Sequence, residues 1–177
     1  MEILTLVIDA QKDFVTDALR NEDAIKAVPN IMELCNRAKE NKIPIWFTRD
    51  THYSNYLETS EGKKLPIKHC LVGTNGWEII DELKPFATDK IIDKPTFGST
   101  LLGMEIAGIP NLKHIYVAGF CTDICVISNI LLIKAFRPDI EIHLVKDCCA
   151  GLTPEKHAAA ISVAESCQTD IIELKDI

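Results

Sequence analysis

The chain lacks the features that would commit it to a membrane or to nucleic acid. Its longest apolar stretch, Ile124 to Ile133, is interrupted by Ser128 and Asn129 and is far short of the roughly 20 residues that span a bilayer. No basic block occurs, and 19 Lys and Arg stand against 26 Asp and Glu, a formal net charge of −7. The phosphate backbone rewards clustered Lys and Arg, so no nucleic acid and no membrane are expected as partners. Met1-Glu2-Ile3 carries no basic n-region of a secretory leader. Seven cysteines are present, an odd number without the repeated spacing of a disulfide framework, and Cys121 and Cys125 do not form a Cys-x-x-Cys pair. A reducing, cytoplasmic setting is expected. Repeats, low-complexity tracts and linkers are also missing, so residues 1–177 are expected to form a single domain, large enough to bury about 70% of the unfolded chain's surface.

What is present is an alternation of short apolar runs and helical stretches. The runs are Ile3 to Ile8, Ile43 to Thr48, Lys90 to Ile92, His114 to Val117, Ile140 to Val145 and Asp170 to Leu174. Between them, Pro29 to Asn41 sets Val28, Ile31, Met32, Cys35 and Ala38 on one helical face, with Pro29 suited to a first turn. Trp77 to Leu83 reads as a short helix stopped by Pro85, and Ser99 to Ala107 as another closed by Gly108. Thr153-Pro154-Glu155 opens a helix running to about Cys167. Such alternation predicts an α/β fold, a three-layer α/β/α arrangement around a mainly parallel sheet of about six strands. The stretch 51–76 departs from it, and a long loop in a small domain is expected to lie over the functional site.

Open parallel sheets bind ligands beyond the carboxyl ends of their strands, so the residues that follow each run are the ones to inspect. The first run ends in Asp9, the second in Arg49-Asp50-Thr51-His52, the third in Asp93-Lys94, and the fourth opens into Gly119-Phe120-Cys121-Thr122-Asp123-Ile124-Cys125-Val126. Thr122 is suited to cap a helix over Val126 to Phe136, which puts Cys125 in its first turn, where free N–H groups and the helix dipole lower a thiol's pKa. Cys125 is therefore the candidate nucleophile, with Cys121 its competitor. Asp9 is the candidate acid/base, Lys94 its electrostatic support, and the backbone N–H groups of Cys121 and Cys125 a candidate oxyanion hole. Asp50 and His52 share one side of an extended segment, and His69 returns from the long loop, so the three are candidate metal ligands, with Glu61 the fourth and Glu58 its alternate. His114, His143 and His157 have no such company and read as structural or surface residues.

Taken together, Val7-Ile8-Asp9-Ala10-Gln11-Lys12-Asp13-Phe14, Asp50-Thr51-His52, His69-Cys70-Leu71-Val72-Gly73-Thr74, Lys94 and the segment Gly119 to Val126 resemble the isochorismatase-like cysteine hydrolase family, and within it the nicotinamidase and pyrazinamidase branch. The resemblance runs from Leu4 to at least Ala150. It implies a Rossmann-like α/β/α fold, an Asp-Lys-Cys triad at Asp9, Lys94 and Cys125, and a non-proline cis peptide at Phe120-Cys121. It further implies a divalent metal, zinc first and iron or manganese next, held by Asp50, His52 and His69, with Glu61 in the variable fourth place. Unlike some nicotinamidases, the chain has no further histidine between Tyr53 and Lys64. The cysteine itself separates it from isochorismatase proper, which resembles this fold without that residue. The activity implied is amidohydrolysis of a small carboxamide, nicotinamide before a ureido or carbamoyl compound, with a non-catalytic binding protein as the contrasting class. Phe14, Trp77 and Phe97 are candidate walls for a flat ring, and a homo-oligomer is expected from the resemblance.

Overall fold

The computed structural model describes residues 1–177. The six apolar runs become β1 (Ile3–Ile8), β2 (Ile45–Asp50), β3 (Lys90–Lys94), β4 (His114–Phe120), β5 (Glu141–Ala150) and β6 (Asp170–Ile172). They form one sheet in the order β3-β2-β1-β4-β5-β6, with every neighbouring pair parallel. Parallel strands need crossovers, which here are α1 (Lys12–Val15), α2 (Glu22–Glu40), α3 (Ser60–Lys64), α4 (Thr100–Ala107), α5 (Ile127–Phe136) and α6 (Pro154–Ser166), with short turns between them. Alternation along β1 sends Leu4, Leu6 and Ile8 to one core and Val7 to the other. Ala24, Val28, Ile31, Leu34 and Cys35 of α2 cover the Val7 face. Leu102 and Ile106 of α4, Ile130 and Ile133 of α5, and Ala164 of α6 cover the opposite face. The three-layer α/β/α expectation holds. No helix is long and apolar enough to cross a membrane.

Two local expectations fail. The helix expected from Pro29 starts at Glu22 instead, because the Asn21 side chain accepts from the Asp23 and Ala24 N–H groups. Pro29 therefore lies inside α2, where its missing N–H costs up to about 3 kcal/mol, offset by the buried stripe facing the sheet. The stretch Trp77 to Leu83 is not helical. The Lys12 N–H donates to the Glu78 carbonyl and the Ile80 N–H to the Ala10 carbonyl, so bonds to the chain after β1 replace those a helix would make, and only Lys84–Phe86 forms a 3₁₀ turn. The long loop is better ordered than its composition suggests. It holds a 3₁₀ turn at Tyr56–Glu58 and then α3, capped by the Thr59 side chain.

The strand order reverses direction between β1 and β4, so a crevice opens at their carboxyl ends. Register fixes what lines it. Ile8 pairs with Gly119 and Asp50 with Lys94, while the β4–β5 ladder slips between Val117 and Gly119 and re-aims the end of β4. Gly119 has φ +114°, and a Cβ on it would overlap the backbone of Ile8. Only glycine lets these two strand ends approach so closely. Gly119→Ala is expected to lower stability by roughly 3 kcal/mol or more, measured by urea unfolding; an unchanged midpoint would show that the two strand ends have room to spare.

Candidate active site

Three strand ends deliver three charged side chains to one point. Lys94 closes β3 as a buried residue, although a lysine before a proline is ordinarily a solvated loop residue. Its Nζ lies 2.6 Å from Asp9 Oδ2 and 3.7 Å from Asp50 Oδ1, and donates to Cys125 Sγ at 3.4 Å and to the Thr96 carbonyl at 3.2 Å. Asp9, just past β1, is fully buried and adopts φ 47°. The Thr48 hydroxyl donates to its Oδ1 at 2.6 Å. Lys94 is thus in contact with both Asp9 and Cys125.

The electrostatics differ from the sequence expectation for the thiol. Cys125 is buried, and burial together with the Asp9 charge pushes its pKa well above the usual cysteine range, with Lys94 pulling the other way. The shift runs opposite to the lowering expected of a thiol at a helix N-terminus. Burial also raises Asp9 against the opposing charge of Lys94. For Lys94, burial lowers the pKa, but the charges of Asp9 and Asp50 beside it outweigh that and the net shift is upward. A carboxylate with a raised pKa, bound to the same ammonium as the thiol, is suited to accept its proton.

The segment bearing Cys125 also departs from expectation. Thr122 is not an N-cap: residues Thr122–Val126 form a π-helical turn that leads into α5, and its cap position, Cys121, makes no side-chain capping bond. The Val126 N–H reaches back to the Cys121 carbonyl at 3.1 Å. The Phe120-Cys121 peptide is cis, as the resemblance implies. The Cys121 N–H has no hydrogen-bond partner within the protein, which leaves it available as an oxyanion donor. Burial pushes the Cys121 thiol up to about 12, and the Lys94 ammonium bonds to Cys125 rather than to Cys121. Asn129 of α5 anchors the turn, donating to the Cys125 carbonyl at 2.7 Å.

Beside this triad, Asp50, His52, Glu61 and His69 present ligand atoms all within 4.8 Å of one another. Glu58 is exposed and outside the group, so of the two glutamates α3 brings Glu61. The donor set fits a divalent cation. His69 Nδ1 lies 2.9 Å from the Ile67 carbonyl, which can only accept, so Nδ1 carries a proton and Nε2 is the ring atom that faces the cluster. His52 Nε2 lies 2.9 Å from Asp50 Oδ2 and 3.5 Å from Glu61 Oε1, and Asp50 Oδ1 is buried without a hydrogen-bond partner, as a cation ligand would be. Burial lowers the His52 pKa, but the hydrogen bonds and charges of Asp50 and Glu61 outweigh it and raise it to about 9. Burial likewise opposes ionisation of Asp50, and His52, His69 and Lys94 overcome it, leaving the net shift downward.

Several supporting residues carried no individual signal in the sequence. Gln11 accepts from the Asp50 N–H at 2.7 Å and donates to the Asp50 and Trp77 carbonyls at 2.9 and 2.8 Å. Asp13 accepts from the Cys70 N–H at 2.7 Å and so anchors the segment that carries His69. In the sequence, Gln11 and Asp13 stand out only as members of the segment Val7 to Phe14 that carries the resemblance. A cavity of about 680 Å³ opens over triad and metal cluster, lined by Phe14, Phe97, Cys121, Ile124, Cys125 and Leu152 among others. Phe14 and Phe97 stand where a ring wall would. Trp77 does not: its ring lies under the Arg49 guanidinium at 3.5 Å and its Nε1 donates to Thr51 at 2.9 Å, so it braces the outside of the β2 end.

A buried Asp-Lys-Cys constellation at the switch point of an α/β/α sheet defines a class of cysteine-bearing α/β hydrolase folds, and the comparisons with known proteins agree. The isochorismatase domain model matches residues 4–176, and the chain belongs to the isochorismatase family. Within it the chain falls with the nicotinamidase and pyrazinamidase branch. Nicotinamidase 3 of Arabidopsis thaliana is 29% identical over 163 residues, 88% of this chain and 77% of that protein. A pyrazinamidase of Pyrococcus horikoshii, solved in complex with zinc, superposes with a TM-score of 0.82 over 98% of this chain and 99% of its own, at 26% identity. The N-carbamoylsarcosine amidase of Thermoplasma acidophilum shares the fold, with a TM-score of 0.83 over 100% of this chain and 99% of its own, at 22% identity.

Lys94→Met strands a buried carboxylate and is expected to destabilise the fold by about 3–5 kcal/mol. Adding Asp9→Asn should recover part of that loss in chemical denaturation. A double variant less stable than the single one would refute the pairing.

Proposed function

We propose that this chain is a cysteine-dependent amidohydrolase that cleaves a small carboxamide, nicotinamide foremost, to the carboxylate and ammonia. The observation that carries this reading is the single Lys94 ammonium in contact with both Asp9 and Cys125. Cys125 passes its proton to Asp9 as Sγ attacks the amide carbon, and Lys94 holds the resulting charges. The oxyanion falls to the backbone N–H groups of Cys121 and Cys125. Asp9 returns the proton to the departing nitrogen, ammonia leaves, and a thioester remains on Cys125. Asp9 then takes a proton from water as its oxygen attacks the thioester carbon, and returns that proton to the departing Cys125 sulfur, which regenerates the thiol and the Asp9 carboxylate and releases the acid.

Asp50, His52, Glu61 and His69 would hold a divalent metal, zinc before iron or manganese on this mixed nitrogen and oxygen donor set. When bound, that ion supplies a Lewis-acid anchor for a ring nitrogen beside the reacting amide. Phe14 and Phe97 then flank the ring. The zinc-bound pyrazinamidase of similar sequence supports this reading. A ureido or carbamoyl substrate is the second reading, favoured by the shared fold of the N-carbamoylsarcosine amidase. The metal cluster at the cavity weighs toward the pyridine carboxamide, which has a ring nitrogen to bind.

Cys125→Ala is expected to abolish ammonia release while leaving the circular dichroism spectrum and melting temperature close to wild type; retained turnover would end the nucleophile assignment. Dialysis against a chelator should remove nicotinamide turnover and zinc restore it. Undiminished activity in a protein shown metal-free by elemental analysis would sink the metal's role, and strong turnover of a ureido compound with nicotinamide inert would favour the second reading.

A further inference from the structure

The π-helical turn that carries Cys125 has no cap of its own, and what holds it lies on another element. Thr122, its first residue, is buried, and its Oγ1 is 2.8 Å from Nδ1 of His157 in the first turns of α6. The next residue, Asp123, accepts from the Leu152 N–H at 2.9 Å. Gly151 sits between them so tightly that a Cβ would fall 2.8 Å from Asp123 Oδ1 and 2.9 Å from the His157 nitrogen. The Gly151 carbonyl accepts from Asn21 at 2.8 Å, which ties this connection to the N-terminus of α2. The turn is thus clamped from the β5–α6 side, and Leu152 of the same connection lines the cavity.

We propose that His157 is a positioning residue for the nucleophile: through Thr122 it sets the orientation of the turn that presents the Cys121 N–H and the Cys125 thiol to the substrate. This rests on the reading of Cys125 as nucleophile. Thr122 follows Cys121 directly and precedes Cys125 by three residues, so a rotation at Thr122 moves donor and sulfur together. The hydroxyl that would ordinarily cap its own helix is committed to the imidazole. His157 is half-buried, and burial lowers its pKa while the Asp123 and Asp23 carboxylates oppose that shift. Burial thus disfavours a charge on the ring beside Thr122, and Nδ1 shares one hydrogen bond with the hydroxyl.

The test compares His157→Leu, which fills the space of the ring, with His157→Asn, whose amide keeps a polar atom near the place of Nδ1. His157→Leu is expected to lower kcat for the amide, and the alkylation rate of Cys125, by about tenfold or more, since small misplacements of reacting groups carry penalties of that size, with KM changed less than about twofold. His157→Asn should recover most of both rates. Thr122→Val should reproduce the loss, and the Thr122→Val/His157→Leu pair should be no worse than either alone. Wild-type kcat in His157→Leu, equal losses in the Leu and Asn variants, or additive losses in the pair would each overturn the proposal. If Cys125→Ala retains turnover, the nucleophile assignment and this proposal fall together; if it is inactive while His157→Leu is unimpaired, only this proposal falls.

Discussion

The buried ion pair of Asp9 and Lys94 is the constraint around which the rest of the site is arranged. Both side chains are shielded from water and their charged atoms are 2.6 Å apart. A charge so placed costs several kcal/mol unless it is matched at short range, so neither residue can be present without the other. The match is made by strand register: the Asp9 N–H donates to the Thr48 carbonyl at 3.2 Å and Asp50 sits opposite Lys94. Two carboxylates share one ammonium at this point. Burial and the charge of Asp9 together push the neighbouring Cys125 thiol's pKa up, against the pull of Lys94.

Asp50 joins this pair to the histidine cluster. Its Oδ1 is 3.7 Å from Lys94, and its Oδ2 is 2.9 Å from His52 and 3.6 Å from His69. One carboxylate therefore belongs to two arrangements, and Gln11, by holding both backbone polar groups of Asp50, sets the geometry of each. A cation held by the histidines draws on the same negative charge that Lys94 balances. A cation bound by this group would be linked through shared electrostatics to the proton affinities of Asp9 and Cys125.

Much of this was legible from the chain. Uninterrupted apolar runs ending in Asp9, Asp50 and Lys94 gave the parallel sheet, and the rule that ligands gather beyond strand ends located the site. Strand ends were less legible, since charged residues such as Asp50 and Lys94 look like loop residues until a partner strand pairs them. Pro29 misled because a proline in a helix interior is uncommon and the capping Asn21 lay farther upstream. Trp77 misled because the spacing of its neighbours suits a short helix, whereas the backbone there bonds to the segment after β1. The role of Thr122 needed α6, which arrives some thirty residues later in the chain and whose packing no local pattern announces. Gln11 and Asp13 were visible only as part of a resemblance, because a polar side chain that serves the backbone leaves no periodic trace.

The reversal of strand order between β1 and β4 has a consequence for how the chain becomes competent during its own synthesis. Asp9, Asp50, His52, Glu61, His69 and Lys94 all precede β4, and β1, β2 and β3 are contiguous in the sheet, so every charged residue of the site is already synthesised when Lys94 is reached. The sulfur comes afterwards, on the turn that follows β4, the strand that pairs with β1. Pairing of β4 with β1 is therefore the step that joins the two halves of the site, and until it occurs the charged half has no thiol to act on.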